Sequence, residues 1–134
     1  MPSFWCGASR RLLEEFRRRF PSAMAEHATV EESEFFGRRF AGIIAVGLMF
    51  LLAAETQAVV IGKAAKALQP GGRFLFTAPG EAVSWRDAMT GRESISLGRE
   101  GYRRILEDAG LRLDGERRDE GENQYYFASK RERL

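Results

Sequence analysis

The sequence predicts an α/β domain: a mostly parallel sheet with helices packed on it, closed by a C-terminal antiparallel hairpin. Three observations carry this. Residues 43–50 are apolar at successive positions, as in a strand covered on both faces of a parallel sheet. A helical stretch, a Pro-Gly-Gly turn and a short apolar strand over 73–77 follow, which completes a βαβ unit. Two strand-like segments, 111–118 and 124–130, flank "DEGEN" and read as the closing hairpin. A chain of 134 residues that is 44% hydrophobic suits one domain, 1–134, with one core.

The elements follow in order. Residues 3–7 form a short aromatic strand. Ser9 is placed to cap a helix running to Phe20, where Leu12, Phe16 and Phe20 lie four residues apart beside Leu13, and Pro21 ends it. Residues 23–30 read as a weak edge strand, followed by the acidic-aromatic loop "EESEFFGRRF". After the apolar strand, a helix over 53–68 sets Ala54, Ala58, Ile61, Ala65 and Leu68 on one face. Pro70 blocks its continuation, and Gly71 and Gly72 open the next strand. Phosphate-cradling loops run strand, glycines, helix; here the order is reversed, so these glycines make a turn. Residues 80–97 read as a loop containing "WRDAMTGRES". A helix over 98–109 turns Tyr102, Ile105, Leu106 and Ala109 inward and stops at Gly110.

Composition narrows the chemistry. One cysteine, Cys6, allows no internal disulfide, and with the single histidine, His27, it leaves no Cys/His set for a structural zinc, so no metal is expected. No signature flanks Cys6 or His27 to mark a reactive pair, and no Gly-x-Ser-x-Gly elbow is present. The longest uncharged apolar run, 41–54, is short for a bilayer span, which points to a cytoplasmic protein without membrane contact. Net charge is +2, and Glu14, Glu15, Glu31, Glu32 and Glu34 sit among the arginine clusters. A solvated mixed-charge surface is expected rather than a nucleic-acid interface.

Four stretches carry a resemblance. "RFAGIIAVGLMFLL" resembles the fourth strand of class I S-adenosylmethionine-dependent methyltransferases, "ALQPGGRFLFTAP" their turn and fifth strand, and residues 98–130 their last helix and antiparallel sixth and seventh strands. "CGASRRLLEEFRRRFP" is similar to the end of the second strand and the helix after it. The resemblance implies a Rossmann-like methyltransferase fold, truncated at its N-terminus, since the family's first strand and Gly-x-Gly-x-Gly loop would precede residue 1. Gly7 stands where the family usually carries the acidic residue that binds both ribose hydroxyls.

The same resemblance nominates site residues. The adenine side of an S-adenosylmethionine site would fall at Thr29 and Val30, with Glu31 and Glu32 the nearest carboxylates. Gly47, Leu48 and Met49 match the end of the fourth strand, where cofactor is positioned, and Phe50 follows on the acceptor side. Thr77, Ala78 and Pro79 match the lip of the fifth strand. Trp85, Thr90, Arg92 and Tyr102 fall where an acceptor lid is often built. Core packing of Met49 and Phe50, and a packed surface loop at the lid positions, are the rival readings. No classical catalytic residue is implied: a sulfonium is already a good leaving group, so transfer depends on holding an acceptor in line with the methyl.

Three functions stay open at this point. The first is a small-molecule methyltransferase, shortened and with cofactor binding weak or absent. The second is a non-catalytic small-molecule-binding or assembly module on the same fold, and the third is an Arg-mediated nucleic-acid binder. The lost first strand would lie between residues 3–7 and 43–50, so a homodimer closing that gap is the expected assembly.

Overall fold

A computed structural model describes residues 4–7, 14, 18, 24–27, 39–86, 88, 91–120 and 124–132. The chain forms two compact units, Met1–Gly37 and Arg38–Leu134. In the first, strands β1 (Phe4–Gly7) and β2 (Met24–His27) pair in parallel, from Phe4 opposite Met24 to Gly7 opposite His27. Parallel neighbours need a crossover between them. The helix expected over 9–20 falls mostly outside the described residues; Glu14 and Arg18 within it are helical and exposed.

The second unit runs β3 (Phe40–Ala45), a 3-10 turn (Met49–Leu51), α1 (Ala54–Ala67), β4 (Leu68–Thr77), β5 (Ala82–Arg86), β6 (Glu93–Leu97), α2 (Gly98–Asp108), β7 (Leu111–Arg118) and β8 (Gln124–Lys130). Four strands make one mixed sheet in the order β3-β4-β8-β7, in which β3 and β4 are parallel and the other two pairings antiparallel. β5 and β6 form a separate antiparallel hairpin.

Strands β7 and β8 occupy the predicted residues, and α1 and α2 lie within one residue of their predicted limits. Four expectations are corrected. The strand predicted over 43–50 sits earlier, because Gly47 takes a left-handed φ of +66°, which ends the extended run, and Met49–Leu51 then coil. β3 is covered on one face only. Ile43 shares a cross-strand row with buried Phe74 and Ala128, whereas Ile44, in the row with Leu75 and Phe127, is 71% exposed. An apolar run therefore marked a strand without fixing its layers. β4 starts at Leu68 and carries Pro-Gly-Gly inside it: the register steps from Phe40 opposite Leu68 to Gly42 opposite Arg73, and Gly71, at φ +79°, takes up the extra residues.

The fourth correction is the segment read as a loop, which is the β5-β6 hairpin, paired from Ala82 opposite Leu97 to Arg86 opposite Glu93. Its buried positions on β6 are Ser94 and Ser96, with Ile95 and Leu97 half-buried between them. This inverts the alternation that marks a half-buried strand. Ser96 serves as a hinge pin: its hydroxyl donates to Pro79 O (2.9 Å) and accepts from Gly98 N (3.2 Å). Gly98 is required there, since φ is +76° and a Cβ would stand 2.7 Å from Ala82 N.

The core lies between the sheet's covered face and the two helices. Phe76 is fully buried, stacked on Tyr126 with centroids 5.0 Å apart, edge-on to Tyr102 of α2 at 5.1 Å and 5.2 Å from Phe74. Gln57 of α1, also fully buried, donates to Leu52 O (2.9 Å) and Ile95 O (2.8 Å) and accepts from the Tyr102 hydroxyl (2.7 Å). Lys130 donates to Ala65 O and Leu68 O at 2.8 and 2.9 Å, satisfying carbonyls left open where α1 ends.

Burial pushes the Tyr102 and Tyr126 phenols above the ordinary tyrosine range, although hydrogen bonding from Leu97 and Ser96 partly offsets this at Tyr102. A raised phenol favours the neutral form in the native state, so the unfolded chain releases its proton first as pH rises. Stability is fully present below about pH 10, the unfolded phenol value, and is lost above it. Urea midpoints are expected to fall between about pH 9.5 and 11, and Tyr126→Phe should flatten the fall. A midpoint as steep in Tyr126→Phe as in wild type would assign the loss to other groups.

Candidate functional site

A cleft of about 510 Å³ opens at the C-terminal ends of β3 and β4. Its floor forms where two strands stop. Beyond β3, Gly47 turns the chain and donates its N–H to Thr77 Oγ1 (2.8 Å), which ties the end of β3 to the end of β4. Beyond β4, Ala78–Glu81 cross to the hairpin. Ala78 N donates to Gln124 O (3.2 Å), and the Tyr126 hydroxyl donates to Pro79 O (2.9 Å), so this crossing is pinned from the β8 side.

Two walls rise from it. Phe50 of the 3-10 turn and Trp85 of β5 meet at 5.7 Å between centroids, tilted by 36°, and form an aromatic wall with Val46 and Val83 nearby. Opposite β4, Tyr125 faces Thr77 in the sheet register, and Gln124 faces Arg118. The Gln124 amide lies so close over Gly80 that a Cβ there would come within 2.8 Å of Nε2. The Tyr125 hydroxyl donates to Asp119 Oδ2 (2.9 Å), and that bond raises its pKa. Glu81 and Arg118 supply the charges of the lining.

The cleft thus offers aromatic faces, one amide, one carboxylate and one guanidinium. Among the described residues it pairs no nucleophile with a base, and no group of His, Cys, Asp or Glu is placed to hold a metal ion. What it can do chemically is bind and orient a planar molecule with polar substituents. No helix among the described residues is long and apolar enough to cross a membrane.

Of the residues nominated from sequence, Gly47, Phe50 and Trp85 line this cleft. Met49 is fully buried, so core packing accounts for it, and half-buried Leu48 precedes the 3-10 turn without reaching the lining. Tyr102 is core as well, its hydroxyl held by Gln57. Arg92 is exposed before β6 and does not line the cleft. Thr29, Val30, Glu31 and Thr90 lie outside the described residues. Thr77, Ala78 and Pro79, matched to the lip of the fifth strand, do line it. The β7-β8 wall of Arg118, Gln124 and Tyr125 was not foreseen; a hairpin next to β4 could have suggested it, because such a hairpin brings its own turn to the end of β4.

Solved structures share this fold. A S-adenosylmethionine-dependent methyltransferase from Clostridium acetobutylicum ATCC 824 superposes with a TM-score of 0.78 at 11% identity, over 98% of this chain and 76% of its own. The fold is that of the class I S-adenosylmethionine-dependent methyltransferases. Burkholderia thailandensis 1,6-didemethyltoxoflavin-N1-methyltransferase, solved with 1,6-didemethyltoxoflavin and S-adenosylhomocysteine, gives 0.72 at 15% identity over 98% of this chain and 72% of that one. N-methyltransferase NodS from Bradyrhizobium japonicum WM9, with S-adenosylhomocysteine, gives 0.70 at 16% over 96% and 66%. No protein-family model matches the sequence, and no curated protein matches it either. The methyltransferase fold is thus shared at low identity, as packing patterns can be kept while most side chains change.

Proposed function

We propose that this chain derives from a small-molecule methyltransferase and keeps the acceptor half of its cleft, while it binds S-adenosylmethionine weakly or not at all. The cleft between the ends of β3 and β4, walled by Phe50, Trp85 and Tyr125, is the observation that carries the reading. Ligands of α/β sheets sit outside the carboxyl ends of the strands, and small-molecule sites are apolar clefts of this size with a few convergent polar groups.

Among the described residues, Gly7, matched by the resemblance to the ribose-binding acid, ends β1 and has no side chain to accept from the sugar hydroxyls. Polar groups of a bound ligand left without partners weaken binding steeply. Titration calorimetry with S-adenosylmethionine and S-adenosylhomocysteine is the test, and no saturable heat is expected. Tight, stoichiometric binding would overturn this part of the reading.

A homodimer belongs to the same reading. The uncovered face of β3, on which Ile44 is 71% exposed, supports association with a second copy. Light scattering on dilute protein is expected to return a dimer that Ile44→Asp converts to monomer. A wild-type monomer would remove the assembly from the proposal.

A further inference from the structure

Among the described residues, Arg118 is the one cation in the lining of the cleft. Arg99, Arg103 and Arg112 of the same unit are engaged with Glu116, Glu100 and Asp114 and lie outside that lining. Arg118 has no hydrogen bond or ion pair among the described residues, and its neighbour Asp119 accepts from the Tyr125 hydroxyl. Arg118 is exposed at the mouth of the cleft, where its guanidinium is open to an anion entering from solvent. Its planar fork suits a carboxylate, which it can hold with two parallel hydrogen bonds.

We propose that the cleft binds a planar aromatic carboxylate, its ring against Phe50, Trp85 and Tyr125 and its anionic group on Arg118. This rests on the reading of the cleft as a small-molecule site and adds the class of molecule. The volume of about 510 Å³ takes one ligand of one or two fused rings. The Phe50-Trp85 pair and the Tyr125 ring present faces and edges that favour offset or edge-on aromatic contact over aliphatic packing.

Glu81, on the same lining, sets the rest of the ligand. A second anionic group near it would be repelled, so one carboxylate is accepted and a dianion is not. Glu81 instead accepts from a hydroxyl or amine substituent, and the Gln124 amide can serve either partner. The preferred ligand is therefore an aromatic acid with one hydrogen-bond donor on its ring.

Calorimetry with 6-hydroxy-2-naphthoate, whose hydroxyl is remote from its carboxylate, and its neutral primary amide, without cofactor, tests this. The acid is expected to bind about tenfold or more tightly than the amide, the amount by which a charge-assisted pair exceeds a neutral one. Arg118→Ala should weaken the acid by the same factor and leave the amide unchanged. Arg118→Gln, closer in size, should repeat this loss, and thermal melts check that both variants stay folded. Trp85→Ala should weaken both probes. Equal binding of acid and amide to wild type, an Arg118→Ala variant that binds the acid normally, or no saturable binding of either probe would each overturn the proposal. Because no cofactor is present, S-adenosylhomocysteine binding can fail or succeed without altering this outcome.

Discussion

Replacing Phe76 by alanine is expected to lower the unfolding free energy by about 3–5 kcal/mol, the range for truncating a buried aromatic residue. The side chain is fully buried and touches three other rings, Phe74, Tyr102 and Tyr126, at 5.0–5.2 Å between centroids. Those rings come from β4, α2 and β8, so a void at Phe76 borders every layer of the unit at once. Neighbouring side chains cannot close it without moving Tyr126, whose hydroxyl is fixed on Pro79 O. Domains of this kind hold about 5–15 kcal/mol in total, so the variant should be near the limit of folding. Urea denaturation followed by circular dichroism measures it, with Phe76→Leu as a milder control expected to lose less. A loss below about 1 kcal/mol would mean that the cluster refills and does not hold the layers together.

Gln57→Leu is expected to cost about 2–4 kcal/mol, although leucine is a better match for an apolar interior and a good helix former. The reason is what the amide leaves behind. Leu52 O, Ile95 O and the Tyr102 hydroxyl each lose a partner. Each buried group without a partner costs roughly 1–3 kcal/mol, with partial relief where water can enter. The three bonds join α1, the hairpin and α2, so hairpin amides near Ile95 should also exchange faster. A double variant, Gln57→Leu with Tyr102→Phe, separates the contributions: removing the stranded hydroxyl should recover about 1 kcal/mol relative to the sum of the single changes. Strict additivity would show that the Tyr102 bond contributes nothing.

What could be read from sequence follows the range of the forces involved. α2 was legible in the spacing of Tyr102 and Leu106 and in Gly110, whose φ of +88° matches its predicted role as a stop. β7 and β8 were legible because each is bounded by turn residues. The β5-β6 hairpin was not, since Ser94 and Ser96 are buried where a half-buried strand usually places apolar residues. Gln57 was hidden for the same reason: a polar residue on the buried face of α1 makes sense only once Tyr102 and Ile95 are known to meet it. In the cleft, Gly47, Phe50 and Trp85 were nominated through a resemblance. Arg118, Gln124 and Tyr125 depended on the register of β8 against β4, a pairing between distant segments that no local pattern encodes.

That pairing also sets a timetable. β8 lies between β4 and β7 in space but follows both in the chain. Tyr126 comes 47 residues after Pro79, whose carbonyl it caps. At synthesis rates of about 5–20 residues per second, β4 waits roughly 2–9 s before its antiparallel neighbour exists. During that interval Phe74 and Phe76 lack both their stacking partner and the strand that will fill the ladder beside them. A ribosome that pauses between β4 and β8 therefore prolongs the exposure of an apolar strand with one open edge, and chaperone demand on this protein should track translation speed across that stretch of its message.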